Sequence, residues 1–175
     1  RPSLPACQKR SNEEINITGE ACYNCESINQ SKHPDVLEMD AASHTSVNDI
    51  REIIENIKYK PTTAPYKVYI MDEVHMLSNS AFNALLKTLE EPPEHVIFIF
   101  ATTEVHKIPL TILSRCQKFN LKRVSNELLV DHYKKLVAAE GFKASDDALK
   151  LIANCAEGSV RDGLSLLEQA LSLTS

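Results

Sequence analysis

Residues 67–78 read KVYIMDEVHMLS, an apolar run from Val68 to Met71 that ends in two adjacent acids and, two residues later, a histidine. Continuous apolarity over four residues suits a strand of a parallel sheet covered on both faces, because alternation is needed only where one face meets water. In an open parallel sheet ligands bind beyond the carboxyl ends of the strands, and that is where Asp72 and Glu73 would lie. The flanking segments supply the rest of the sheet. HPDVLEMDAASHT predicts a short strand near Val36–Met39, followed by Asp40 and a small-residue turn. HVIFIFATT predicts a third buried strand over Val96–Phe100 ending in Thr102 and Thr103.

Helical patterns separate these strands. Ile50, Ile53, Ile54 and Ile57 recur at i, i+3, i+4 and i+7, with Ser46 placed to cap and Pro61 beyond the end. Phe82, Leu85, Leu86 and Leu89 repeat the pattern until Pro92 and Pro93 stop it. Strand, helix, strand, helix, strand is the alternation of a doubly wound parallel sheet. A turn of helix and a last short strand around Lys118–Leu121 are expected next. From Ser125 onward strand signals vanish, and three helical stretches remain, about 125–139, 145–156 and 159–173. The boundary is expected near Arg123, giving an α/β domain and then a small all-helical one.

Composition narrows the classes. With 175 residues and 43% hydrophobic content the chain can bury a substantial core. No apolar stretch approaches the roughly eighteen residues of a membrane helix, and the amino terminus lacks a basic-then-apolar signal, so a cytoplasmic protein with no membrane partner is expected. A net charge of −5 means that any nucleic-acid contact must be local. The five cysteines are an odd count. Cys116 and Cys155 read as isolated thiols, whereas Cys7, Cys22 and Cys25 suit three thiolates of a small zinc module. A redox pair or chance spacing stays open, and the fourth ligand would be His33, a water or nothing.

An acid after a buried strand suits Mg²⁺ carried on nucleotide phosphates, and a second acid can orient the attacking water. The alternative is that both acids are merely solvated at a strand end. His75 gives a loose match to DExH helicases, but it reads better as a packing or hydrogen-bonding residue. The phosphate-cradling GxxxxGK[ST] loop is not in the sequence. Either that loop precedes residue 1 or the protein does not hydrolyse nucleotide.

The stretches DAASHTSVNDIREIIE, YKVYIMDEVHMLSNSAFNALLKTLEEPPEHVIFIFATTEVHKIPLTILSRCQKF and AEGSVRDGLSLLEQA resemble the bacterial DNA polymerase III gamma/tau family of clamp-loader ATPases, over about Pro34–Ala170. The resemblance implies an AAA+ fold: a parallel sheet, here partial because the first strand and P-loop are missing, followed by a three-helix lid. It divides the chain into a cysteine-containing zinc-module segment at 1–33, the AAA+ α/β domain at 34–122 and the lid at 123–175. It implies that Asp72 and Glu73 are the Walker B acids. Thr103, rather than Thr102, is the sensor, Arg115 in LSRC the arginine finger and Arg161 in GSVRD the phosphate-sensing lid arginine. The implied cofactors are ATP, Mg²⁺ and a structural Zn²⁺. The family's CxxCxxC run, however, begins here with Gly19, leaving Cys7, Cys22 and Cys25.

The implied function is ATP hydrolysis coupled to loading a sliding clamp on primed DNA, within the DNA polymerase III holoenzyme, a nucleotidyltransferase. The partners would be other clamp-loader subunits in a hetero-oligomeric ring, the clamp and the polymerase core. Without a P-loop the chain alone is expected to be inactive. The competing expectation is a non-hydrolysing structural subunit like delta-prime.

Overall fold

The computed structural model describes residues 23–43 and 46–173. They divide into two compact units between Lys118 and Phe119. In the first, strands β1 (Val36–Asp40), β2 (Lys67–Asp72) and β3 (Val96–Phe100) form a parallel sheet in the order β1-β2-β3. Asp40 pairs in register with Asp72, and Met71 with Phe100, so all three strands end at one edge. The middle strand carries the apolar run, and its Val68, Tyr69 and Met71 are buried, as a strand covered on both faces requires. Tyr69 stacks on Phe98 at 5.6 Å, and Phe98 on Phe100 at 5.8 Å, forming a row of rings on one face.

Helix α1 (Tyr23–Asn29) precedes the sheet, α2 (Val47–Ile57) links β1 to β2, and α3 (Asn79–Glu90) links β2 to β3. Helix α2 begins with a capping box: Ser46 Oγ accepts from the Asp49 amide at 3.2 Å, and Asp49 Oδ2 accepts from the Ser46 amide at 3.3 Å. It buries Ile50, Ile53 and Ile57, while α3, capped by Ser78, buries Ala81, Phe82 and Leu85. These side chains join Met71, Val74 and Ile112 in one core. Helix α4 (Leu110–Leu113) is the expected helical turn. The expected strand at Lys118–Leu121 does not form. Phe119 and Leu121 are 74% and 96% exposed, so the segment lacks the covered face that makes a short strand worth pairing.

The opposite edge of the sheet is tied by Asp35, which is buried. Its carboxylate accepts from the amides of Thr62, Thr63 and Ala64 at 2.7, 2.7 and 2.9 Å and from the Thr63 hydroxyl at 3.1 Å. Burial alone would raise its pKa, but together these four hydrogen bonds win and hold it below the ordinary 3.8. A carboxyl whose pKa is lower folded than unfolded adds stability above the unfolded value and loses it as pH falls through the folded one. Wild-type stability should therefore drop on acidification below about pH 4. Asp35→Asn should be weaker at neutral pH by about 2 kcal/mol and lack this part of the acid dependence. Urea unfolding of both chains from pH 7 to pH 3 checks this, and parallel pH curves would refute it.

The second unit packs α5 (Asn126–Ala139), α6 (Asp146–Cys155) and α7 (Val160–Ser172), each opened by a capping serine: Ser125, Ser145 and Ser159. Its core is Leu129, Val130, Tyr133, Val137, Leu149, Ala153, Ala156 and Leu167. Tyr133 lies fully buried over Gly163, its hydroxyl without a hydrogen-bond partner, and burial pushes its phenol pKa up. Between α6 and α7 two consecutive residues are left-handed, Glu157 at φ 47° and Gly158 at φ 82°. Arg123 donates to the Glu157 carbonyl at 2.6 Å, and the Val124 amide donates to the Gly158 carbonyl at 3.1 Å. A Cβ at position 158 would lie 2.7 Å from the Arg123 Cβ, so this junction demands glycine. No described helix is long and apolar enough to cross a membrane.

Candidate active site

The sheet's carboxyl edge gathers Asp40, Asp72, Glu73, His75, Thr102 and Thr103. Asp40 is committed to its own turn, accepting from the Ala42 amide at 2.8 Å and the Ser43 hydroxyl at 3.1 Å. Asp72 is exposed, and its Oδ1 accepts from the Glu73 amide at 2.9 Å. Its Oδ2 has no hydrogen-bond partner among the described residues and remains available to a cation. Glu73 takes the left-handed conformation, φ 48° and ψ 40°, uncommon for a residue with a Cβ. The turn it makes lets the Val74 amide reach the Ala101 carbonyl at 3.0 Å, while the Ala101 amide reaches the Met71 carbonyl at 2.9 Å. The ends of β2 and β3 are thereby locked together just where the acids emerge.

Glu73 Oε2 is buried and accepts no hydrogen bond. His75 Nδ1 stands 3.2 Å from it, a close approach by distance but without the alignment of a formed bond. Nδ1 also lies 2.9 Å from Thr102 Oγ1, which accepts from the Glu104 amide at 3.0 Å. The His75 side chain is only 8% exposed, and its contact with Thr102 makes it a hydrogen-bonding residue. On its far side Nε2 is 3.8 Å from Glu104, whose carboxyl is held below the usual range first by a hydrogen bond from Lys107 and then by nearby positive charge. Of the two threonines, the half-buried Thr102 engages His75, and Thr103 is exposed. Strand-end position alone could not separate them; what does is the contact between Thr102 Oγ1 and His75 Nδ1.

Arg115 follows α4 and donates to Glu90 at the end of α3 and to the Thr111 carbonyl. Glu90 was not singled out in the sequence, because nothing local marks it as a partner 25 residues away. Arg161 is exposed on the first turn of α7, in the helical unit.

The zinc set finds no support in the described part of the chain. Cys7 and Cys22 lie outside the described residues, and Cys25 sits on α1, a helix the polar, cysteine-bearing sequence did not announce. Among the described residues no group of three or more His, Cys, Asp or Glu side chains converges to hold a metal. His33 is not the missing ligand: its Nδ1 accepts from the Asp35 amide at 3.1 Å, and its Nε2 contacts Asn24 Oδ1 at 3.3 Å and Thr63 Oγ1 at 3.4 Å. Both ring nitrogens are occupied, Nδ1 by the Asp35 amide and Nε2 by Asn24 of α1 and Thr63.

Comparison with known proteins identifies the family of the chain. A family profile described as DNA polymerase III, delta subunit, matches residues 3–125, and one described as DNA polymerase III clamp loader subunit, ATPase lid domain, matches 129–175. The tau subunit of Bacillus subtilis DNA polymerase III is 54% identical over 153 residues, 87% of this chain and 27% of that protein. The Escherichia coli tau subunit is 50% identical over 151 residues, 86% of this chain and 24% of that protein. The chain thus spans about a quarter of the length of these relatives.

Among solved structures, a DNA polymerase III gamma subunit-related protein from Thermotoga maritima is 30% identical with a TM-score of 0.52, over 74% of this chain and 45% of that one. The Thermotoga maritima RuvB branch migration motor, at 17% identity, shares the fold with a TM-score of 0.63 over 81% of this chain and 47% of its own. The three-stranded parallel sheet and helical lid are therefore those of an AAA+ protein, and the chain belongs to the family of DNA polymerase III clamp-loader subunits that includes tau and gamma.

Proposed function

We propose that the chain is the nucleotide-hydrolysing portion of a clamp-loader ATPase, using ATP with Mg²⁺ to place a sliding clamp on primed DNA in the bacterial cytoplasm. The observation that carries the reading is the acid pair at the end of the middle strand. Asp72 presents a carboxylate oxygen to solvent, and Glu73 is held in a strained backbone state beside β3. When bound, Mg²⁺ on the nucleotide supplies charge neutralisation to the phosphates. Asp72 holds that cation through one carboxylate, the usual protein share in Mg²⁺–nucleotide sites. Glu73 orients the attacking water and accepts its proton.

In this reading residues 34–122 form the AAA+ portion and 123–175 the lid. Thr103 senses the terminal phosphate from the end of β3. Arg115, released from Glu90, reaches the nucleotide of a neighbouring subunit, and Arg161 reads the phosphate from the lid. The partners are sister subunits in a ring, the clamp, the polymerase core and primed DNA. A non-hydrolysing structural subunit is the weaker reading: a buried carboxylate oxygen left without a hydrogen bond is a cost that a protein without a water to activate has no reason to carry.

The test is Asp72→Asn in the full-length subunit assembled with its partners. Weakening the hold on the cation forfeits part of the several kcal/mol of charge stabilisation that the metal supplies, so Mg²⁺-dependent ATP turnover should fall on the order of a hundredfold or more. Turnover equal to wild type would remove Asp72 from the site.

A further inference from the structure

We infer that His75 is a positioning residue for Glu73, sharing one Nδ1 proton between the Glu73 carboxylate and the Thr102 hydroxyl; the inference rests on the hydrolytic reading above. Three observations meet at this atom. Glu73 Oε2 is buried and accepts no hydrogen bond, yet it stands 3.2 Å from His75 Nδ1. The same nitrogen is 2.9 Å from Thr102 Oγ1. The imidazole is almost fully enclosed, so no bulk water stands in as a donor.

The location of the proton follows from the neighbours. A bare Nδ1 would set its lone pair against a buried carboxylate oxygen at 3.2 Å, an arrangement with no donor between two acceptors. With the proton on Nδ1, both oxygens are acceptors for one donor. Thr102 Oγ1 can take it alongside the Glu104 amide that it already accepts, since a hydroxyl oxygen has two lone pairs.

The donor is therefore contested between the end of β3 and Glu73. Leaning toward Thr102, as it does here, it leaves the carboxylate loosely held; leaning toward Glu73, it fixes one oxygen and aims the other. Because Thr102 belongs to the segment that follows β3, a shift at that strand's end is converted into the orientation of the water-activating group. The left-handed backbone of Glu73 fits this role, because it turns the glutamate back toward its own histidine two residues on. His75 touches no reacting atom in this scheme and acts only through Glu73.

The experiment uses the full-length subunit in its assembled complex and compares His75→Leu, His75→Asn and Glu73→Gln, reading steady-state ATP turnover and equilibrium affinity for a fluorescent ATP analogue. Leucine fills the space without a donor; asparagine places an amide nitrogen close to the Nδ1 position. H75L is expected to lower kcat by about 10- to 100-fold, the usual range for losing an orienting partner, with nucleotide affinity unchanged. H75N is expected to recover most of that loss. A merely structural His75 would weaken nucleotide affinity along with kcat and would not separate asparagine from leucine; either result overturns the inference. Wild-type kcat in H75L, alongside a Glu73→Gln chain that does not turn over, also overturns it while leaving the hydrolytic reading intact. A Glu73→Gln chain that turns over normally overturns that reading first.

Discussion

Glu73→Gln in the full-length subunit is expected to bind nucleotide as the parent does and to lose about 10²- to 10⁴-fold in turnover, the range that removal of a general base produces. Glutamine keeps the length and branching of the side chain, and it is no worse suited than glutamate to the left-handed backbone at φ 48°. Asp72, whose Oδ1 is anchored to the amide of residue 73, stays in place because that hydrogen bond is to the main chain. What disappears is the ability to take a proton from water. Single-turnover hydrolysis measured beside equilibrium binding separates the two effects. Unchanged single-turnover rates would eliminate Glu73 as the base, whereas loss of binding would mean that its charge serves the nucleotide rather than the water.

Gly163→Ala is the second large effect, and here helix propensity and structure predict opposite signs. Residue 163 lies inside α7, where alanine ordinarily stabilises by about 1 kcal/mol over glycine. The space is already taken: a Cβ there would fall 1.7 Å from the Tyr133 hydroxyl, 2.8 Å from its Cζ and 3.0 Å from the Ala156 Cβ. Tyr133 is fully enclosed by α5, α6 and α7 and cannot swing clear. Overpacking at such a site costs about 3 kcal/mol, which outweighs propensity. Hydrogen-exchange protection across residues 126–172 of the G163A chain should fall accordingly, with the sheet unit spared. Tyr133→Phe should be neutral or stabilising alone, because it removes a buried hydroxyl that has no partner. Combined with G163A it should restore part of the loss, since contacting residues do not act additively. Full protection in G163A alone would refute the packing argument.

The sheet and the three late helices were legible because their signals are periodic and local. The isoleucines of α2 and the leucines of α3 recur at helical spacing, each run stops at proline, and the serine before each helix accepts from the third residue on. Helix α1 was not legible, because YNCESIN is polar and its cysteine suggested a metal instead. The segment at Lys118–Leu121 alternates like a strand, but whether alternating side chains find a covered face is a tertiary fact.

At the site the acids were readable from their place after an apolar run. The left-handed turn of Glu73 was not, since it is imposed by the bond between Val74 and Ala101, 27 residues apart. Nor could spacing show that Thr102 answers to His75, or that Arg115 is held by Glu90.

The junction before α7 joins two distant points of the helical unit as a short crank. The chain that enters the unit at Arg123 and Val124 grips the carbonyls of Glu157 and Gly158, and three residues after Gly158 stands Arg161. The incoming chain is thus fastened within one helical turn of the arginine. Glycine at 158 keeps the bearing tight, because any bulkier residue would pry the two segments apart and leave slack in the linkage.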